Sequence, residues 1–195
     1  MRQHSLVNIC AMILLIMVAE TSATTSVPAT TQVYSTYGSE LIVRIEPGSN
    51  ITQDDDYGLP FSEQNAIAVY VRYDEGSKSY RFSHSVRLAN GVAPLEAHLH
   101  ETGILITVDN FGGGTANGPA VAIYSAAGQT VATYALSDIY PQDVVRELKR
   151  AEDNERRSWR HQKDRSFIAR NRFVVPDVFG NAFYFNIYNG TYEYK

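Results

Sequence analysis

The sequence predicts an all-β fold of antiparallel hairpins and meanders, interrupted by one helix. Residues that favour strands are abundant, and tyrosine alone contributes 13 of the 195 residues. Apolar and polar side chains alternate over 79–88, which gives a strand one buried and one wet face. Asn189 and Gly190 separate two aromatic runs, and this dipeptide is typical of a type I′ hairpin turn.

The first 23 residues have the organisation of a secretory signal peptide. Arg2 and His4 precede an apolar run of about 14 residues, shorter than the ~20 that a membrane-spanning helix needs. We expect cleavage after Ala23, a disordered lead-in over 24–36, and a single β-rich domain over 37–195. No transmembrane segment is expected after signal removal. Cys10 is the only cysteine and leaves with the signal, so the mature chain cannot form a disulfide.

Ten segments have the composition of strands, and their spacing favours consecutive hairpins. Within 79–88, the side chains of Tyr80, Phe82, Val86 and Leu88 are expected to share the buried face. The predicted strands are 40–46, 66–74, 79–88, 95–100, 104–109, 120–125, 130–136, 167–175, 183–188 and 191–194.

Three of the predicted hairpins resemble one another. Each joins two tyrosine- or phenylalanine-containing strands through a turn with a glycine, namely Gly76, Gly128 and Gly190. This recurrence predicts a β-meander used about three times, in the manner of propeller blades. A β-sandwich of hairpins gives nearly the same pattern and stays open as the alternative.

One helix is predicted near 141–154. Pro141 suits the first helical position, and Asp143 lies favourably near the positive end of the helix dipole. A narrow apolar stripe follows at helical spacing, formed by Val144, Val145, Leu148 and Ala151.

Glu96, His98 and His100 form the sharpest chemical candidate in the sequence. Alternate residues of a strand point the same way and lie roughly 6–7 Å apart, so two imidazoles and a carboxylate can bind Zn²⁺. A zinc ion held this way keeps a position for a catalytic water. The alternative is an ordinary polar strand face. The sequence suggests no cofactor other than this zinc ion.

The glycine-rich segment over 112–118 does not have the features of a phosphate-binding loop. It lacks the lysine of such a loop and leads into another strand instead of a helix. We interpret it as a wide strand connection. Asp109 and Asn110 precede it, and they either build the turn through their side chains or contact a ligand.

A basic segment over 146–172 contrasts with a mildly acidic chain. The segment holds ten Lys or Arg and five Asp or Glu, whereas the whole chain has a net charge of −4. Such a balance is not that of a dedicated nucleic-acid-binding domain. Arg156, Arg157, Trp159 and Arg160 are candidates for gripping an anionic polymer by charge and stacking. Alternatively, the segment lies across the acidic body with Trp159 in the core.

Residues 94–195 resemble a group of uncharacterised secreted bacterial proteins with β-propeller-like meanders. The resemblance rests on a strand ending in Val-Thr-x-Asp-Asn-aromatic, a glycine-rich loop, a Val-x-Tyr strand, a glycine turn and a Leu-x-Asp-Ile element. It implies the fold and export, and no activity. The matching residues are Val108, Asp109, Asn110, Phe111, 112–114, 120–124, Gly128, Leu136, Asp138 and Ile139.

The sequence favours an exported, non-enzymatic binding or interaction module of the periplasm, the cell envelope or the exterior. Its expected partner is an anionic envelope polymer or another exported protein, and nucleic acid is not expected. The alternative is a metal-dependent hydrolase centred on Glu96, His98 and His100. No Gly-x-Ser-x-Gly elbow is present, and the mature chain has no thiol for a cysteine nucleophile.

Overall fold

A computed structural model describes residues 29–48, 65–110, 118–155, 159–160 and 165–195, with side chains over 149–155 left undescribed. The predicted signal peptide and the residues of the lead-in up to 28 lie outside the described residues. So does most of the glycine-rich segment.

Three four-stranded antiparallel sheets make up the described structure, and in each the strands are neighbours in chain order. The first sheet contains β1 (Gln32–Ser35), β2 (Leu41–Glu46), β3 (Ile67–Asp74) and β4 (Ser79–Arg87). The second contains β5 (Pro94–Leu99), β6 (Leu105–Asn110), β7 (Val121–Tyr124) and β8 (Thr130–Tyr134). The third contains β9 (Phe167–Ala169), β10 (Arg172–Pro176), β11 (Ala182–Asn186) and β12 (Tyr192–Tyr194).

The prediction of an all-β fold of antiparallel meanders with a helix near 141–154 is confirmed. Helix α2 spans Gln142–Glu155 and follows a single-turn helix, α1 (Leu136–Ile139), and Tyr37–Ser39 form a 3-10 turn. The glycines of the three similar hairpins each lie between the third and fourth strands of a sheet. The three sheets do not close on themselves within the described residues.

The second sheet lies between the other two, and its central strands therefore bury side chains on both faces. Leu105 and Tyr124 belong to an apolar cluster shared with the first sheet. Ile106 and Ile123 belong to a second cluster, which includes α2 and the third sheet. Alternate residues of one strand thus enter two cores, and this explains why β7 reads as a continuous apolar run.

Two segments differ from the predicted strands at their boundaries. Gln32–Ser35, which falls within the predicted lead-in, forms β1 and pairs with β2. The predicted strand over 167–175 is a hairpin, in which β9 and β10 are joined at Arg170, a residue with φ of 56°. The chain reverses through this left-handed φ at an arginine, so the sequence contains no glycine that would have predicted the turn.

The alternation over 79–88 is broken by a β-bulge. Tyr70 pairs with His84 and Val71 pairs with Phe82, so Ser83 is an extra residue in β4. Val86 is buried as predicted, whereas 67% of Phe82 is exposed on the opposite face. An extra residue shifts the side-chain alternation by one, so the prediction that Phe82 and Tyr80 are buried with Val86 is wrong.

The Asn189-Gly190 hairpin exists, but its loop is longer than a two-residue turn. Strands β11 and β12 leave five residues between them, 187–191. The Asn186 side chain accepts hydrogen bonds from the amides of Tyr188 and Asn189, at 3.0 and 3.3 Å. This side-chain turn begins the loop before Asn189, and within the loop only Gly190 has a positive φ, 79°.

Candidate functional site

Most of the candidate residues meet where the second sheet faces the third. Glu96 and His98 lie on β5 and point toward the third sheet, and the His98 ring lies 4.9 Å from that of Phe173. Their relative side-chain exposures of 26% and 20% make them partly buried. Nε2 of His98 is 2.6 Å from Oε1 of Glu96. This face is therefore not the solvent-exposed strand face that simple alternation suggests.

Asp109, the penultimate residue of β6, has a left-handed conformation, with φ of 55°. The Asn90 side chain donates to its carbonyl at 2.8 Å, and the Asp109 amide donates to Ala120 at 3.0 Å. Aspartate tolerates this conformation better than most residues. The turn directs the carboxylate of Asp109 toward residues 159–160.

Arg160 links the two carboxylates. Its Nε donates to Asp109 at 2.8 Å, and its Nη1 forms an ion pair with Glu96. Trp159 Nε1 donates to the other oxygen of Asp109 at 2.6 Å. Glu96, His98, Asp109, Trp159 and Arg160 are called the Arg160 cluster below.

The backbone of this segment is fixed to the third sheet as well. Arg160 forms an isolated antiparallel bridge with Asp177, and the Val178 amide donates to the Trp159 carbonyl at 3.2 Å. The side chains of Trp159 and Arg160 therefore contact the second sheet while their backbone pairs with the third. The Arg160 cluster ties the two sheets together.

The two carboxylates of the cluster have opposite electrostatic behaviour. Burial alone raises the pKa of Glu96, but hydrogen bonds from His98 and Arg160 and their charges outweigh it and lower the pKa to about 2. Burial also raises the pKa of Asp109, and the Arg160 charge and the hydrogen bonds from Trp159 and Arg160 offset this only in part. Burial therefore sets the direction of the pKa shift of Asp109, whereas the hydrogen-bonded partners set that of Glu96.

His100 is not part of the Arg160 cluster. Its Nδ1 lies 2.8 Å from the Thr102 hydroxyl in the turn between β5 and β6, and its ring lies 6.4 Å from Tyr188. Within the described part of the chain, no three His, Cys, Asp or Glu side chains are arranged to hold a metal ion. The geometry thus adds no support to the zinc hypothesis for Glu96, His98 and His100.

Trp159 is fully buried, and its ring makes edge contacts with Tyr140 and Phe183. Its faces are therefore not accessible for stacking on a sugar or a base, and the interpretation that Trp159 lies in the core is confirmed. Asn110 follows Asp109, and its side chain packs against Gly118. Arg156 and Arg157 lie outside the described residues.

Asp177 is a second buried carboxylate, which the sequence analysis did not identify. It is 1% exposed and accepts hydrogen bonds from the hydroxyls of Tyr140 and Tyr194, at 3.0 and 2.7 Å. The amides of Phe179 and Asn181 donate to its other oxygen, both at 2.9 Å. Burial and the Asp177 charge raise the pKa of Tyr140 far above its ordinary range. A signal was present in the sequence, because Asp-x-Phe-Gly occurs at the end of the second strand of the second sheet, at 109–112, and directly after the second strand of the third sheet, at 177–180.

The outer face of the first sheet is a second candidate, formed by the residues that point away from the second sheet. Cross-strand pairing places Ile42, Val71 and Phe82 in one row on this face. Tyr73 and Tyr80 pair beside them, with ring centroids 5.4 Å apart. Phe82 is 67% exposed and Tyr80 is 44% exposed. This arrangement is an apolar, aromatic face open to solvent.

Comparison with known proteins gave no match: no family model, curated protein or solved structure is significantly similar to this chain. In the ranges that the structure describes, no helix has both the length and the hydropathy needed to cross a membrane.

Proposed function

We propose that this chain is an exported, non-enzymatic interaction module that binds another exported protein through the outer face of its first sheet. The observation that carries the proposal is the exposure of Phe82 beside Tyr80, Val71 and Ile42 on one sheet face. Grouped apolar side chains on a soluble surface are typical of protein interaction sites. Aromatic residues in particular are enriched at the centres of such sites.

The Arg160 cluster supports a structural role for the charged residues. Arg160 is engaged by Glu96 and Asp109, and Trp159 is buried. An anionic polymer that recruited Arg160 would have to displace two carboxylates that already neutralise it. Among the two kinds of partner that the sequence suggests, we therefore favour a protein. The periplasm, the envelope and the exterior are all compatible with the predicted signal peptide.

We also propose that the three meanders are arranged in the manner of consecutive propeller blades. Each sheet is a four-stranded meander, and the sheets stack in chain order through their faces. Both features are those of blades. A stack of sheets without rotation about a common axis, closer to a β-sandwich, is the alternative. Small-angle X-ray scattering distinguishes the two, because a wedge-like stack curves whereas a sandwich-like stack is straight.

A photo-crosslinking experiment tests the interaction surface. Photoreactive benzoylphenylalanine is introduced at Phe82, and separately at Tyr188, in cells that export the chain. Tyr188 is the matched control because it is 55% exposed but lies in the loop between β11 and β12. We expect protein crosslinks from position 82, identified by mass spectrometry, and few from position 188. Equal crosslinking from both positions, or none from position 82, contradicts the proposal.

A further inference from the structure

Consecutive sheets contact each other through an equivalent glycine. Gly128 lies in the turn between the third and fourth strands of the second sheet, and it packs against β4, the fourth strand of the first. A Cβ atom built on Gly128 lies well within 3.0 Å of Val86 Cγ2. Only a residue without a side chain permits this approach.

The contact between the third and second sheets repeats this arrangement. Gly190 lies in the turn between the third and fourth strands of the third sheet, and a Cβ atom built on it lies 2.5 Å from Ala132 Cβ on β8. Strand β8 is the fourth strand of the second sheet. The turn of each sheet therefore rests on the fourth strand of the preceding sheet in the same way.

The first sheet also has a glycine in this turn, although the residue with positive φ there is Lys78, and the described residues include no preceding sheet. Gly76 lies in its turn between the third and fourth strands, and a Cβ atom there meets only the side chain of Asp74. Gly38, in its first turn, has no heavy atom within 4 Å, whereas Gly103 in the first turn of the second sheet approaches Leu41. The outer face of the first sheet therefore contacts no further sheet within the described residues.

We infer that a second copy of this chain packs the outer face of its third sheet on the outer face of the first sheet. This inference rests on the proposed function and names its partner. The face-to-face stacking that joins the first sheet to the second, and the second to the third, would then continue across the contact between two copies. In this arrangement, the turn that holds Gly76 rests on β12 of the second copy.

The two faces have matching chemistry. Across the third sheet, Phe167, Val174, Tyr184 and Glu193 form one row that points away from the second sheet. Phe167 is 50% exposed, whereas Val174 in the middle of the row is buried, at 6% exposure. Exposed ion pairs flank both faces, Arg44 with Glu46 on the first sheet and Arg172 with Glu193 on the third. An apolar centre with a charged rim is the usual anatomy of a protein interface.

Repeating the contact twice produces a closed dimer. Two copies supply two times three, or six, sheets. Six is the only multiple of three within the range of about four to eight blades that propellers use. Each copy then contributes one first-sheet face and one third-sheet face, so the dimer holds two identical contacts.

Sedimentation equilibrium of the purified chain, after expression from the full-length sequence, tests the inference. We expect a mass of two chains for the unmodified protein. Phe82→Asp and Phe167→Asp are each expected to raise the dimer dissociation constant at least tenfold. Tyr188→Asp is the control and leaves dimerisation unchanged. Trp159 fluorescence verifies that every variant is folded.

Mixing the variants tests which faces meet. A Phe82→Asp chain keeps an intact third-sheet face, and a Phe167→Asp chain keeps an intact first-sheet face. An equimolar mixture can therefore form one unmodified contact, and we expect it to associate more tightly than either variant alone. A monomeric unmodified protein, or dimerisation insensitive to Phe167→Asp, overturns the inference. A monomer that still crosslinks to a different protein through position 82 overturns this inference but leaves the proposed function standing.

Discussion

Replacing Arg160 with methionine removes the charge that joins the two carboxylates of the Arg160 cluster. The side chains of Arg160, Glu96 and Asp109 are 17%, 26% and 13% exposed, so the ion pairs are mostly shielded from water. Removing one partner of a buried ion pair typically costs 3–5 kcal/mol, since the remaining charges stay buried without compensation. Because the cluster retains some exposure, we expect Arg160→Met to lower the free energy of unfolding by about 3 kcal/mol.

The pH dependence of the same variant provides a second measure. The difference between the ordinary pKa of Glu96, 4.5, and its value of about 2 corresponds to about 3 kcal/mol, which His98 and Arg160 supply together. This contribution is present above pH 4.5 and is lost as the pH falls toward about 2. The raised pKa of Asp109 acts in the opposite sense, since its contribution is present below 3.8 and is lost as the pH rises through the folded value. We expect the deficit of Arg160→Met to be large at pH 7 and to shrink between pH 4.5 and 2.

Urea unfolding measures these effects, with the fluorescence of Trp159, the only tryptophan, as the probe. Arg172→Met is the matched control, because its ion pair with Glu193 is about half exposed and should contribute little to stability. A double-mutant cycle with Glu96→Gln isolates the pairwise energy. If Arg160→Met costs no more than Arg172→Met, or its deficit is the same at pH 7 and pH 2.5, the cluster does not tie the sheets as argued.

Three further predictions concern other parts of the molecule. Gly128→Ala should lower the free energy of unfolding by about 2–4 kcal/mol, because it adds a clash with Val86 to the penalty of a positive φ. Gly180 also has a positive φ but has open space around it, so Gly180→Ala should cost only about 1–2 kcal/mol. Equal costs for the two variants would contradict the close contact between sheets. Asp177→Asn should lower the free energy of unfolding by about 3 kcal/mol, because the new amide group places a donor where four donors already point at the carboxylate. An unchanged urea midpoint would contradict the role of Asp177 as a buried acceptor. Chelator followed by Zn²⁺ should leave the thermal midpoint unchanged, whereas a Zn²⁺-dependent rise would revive the hydrolase hypothesis.

The repeat of the fold could be predicted from local signals in the sequence. Gly128 and Gly190 mark turns with a positive φ where neighbouring residues leave no room for a side chain, and Gly76 marks the corresponding turn of the first sheet. Pro141 and an apolar stripe likewise mark a helix whose existence depends on nearby residues. Signals of this kind depend on residues a few positions apart, so they predict turns and helices without knowledge of the tertiary structure.

The candidate site was harder to predict because its contacts are remote in sequence. Arg160 and Glu96 are 64 positions apart, and nothing near either residue specifies the other. Similarly, the bulge at Ser83 exposes Phe82, and an extra residue in a ladder carries no fixed composition. The sequence could therefore identify Glu96, His98, Asp109 and Arg160 as candidates, but not their mutual pairing.

Hydroxyl-radical footprinting across a protein dilution series tests most directly whether the outer faces of the first and third sheets join two copies of the chain. Mass spectrometry reports the oxidation of Phe82, Phe167 and Tyr188 at each concentration. We predict that Phe82 and Phe167 become protected together as the concentration rises, while Tyr188 stays equally reactive. Constant reactivity of both phenylalanines, or protection of Phe82 without Phe167, contradicts the account.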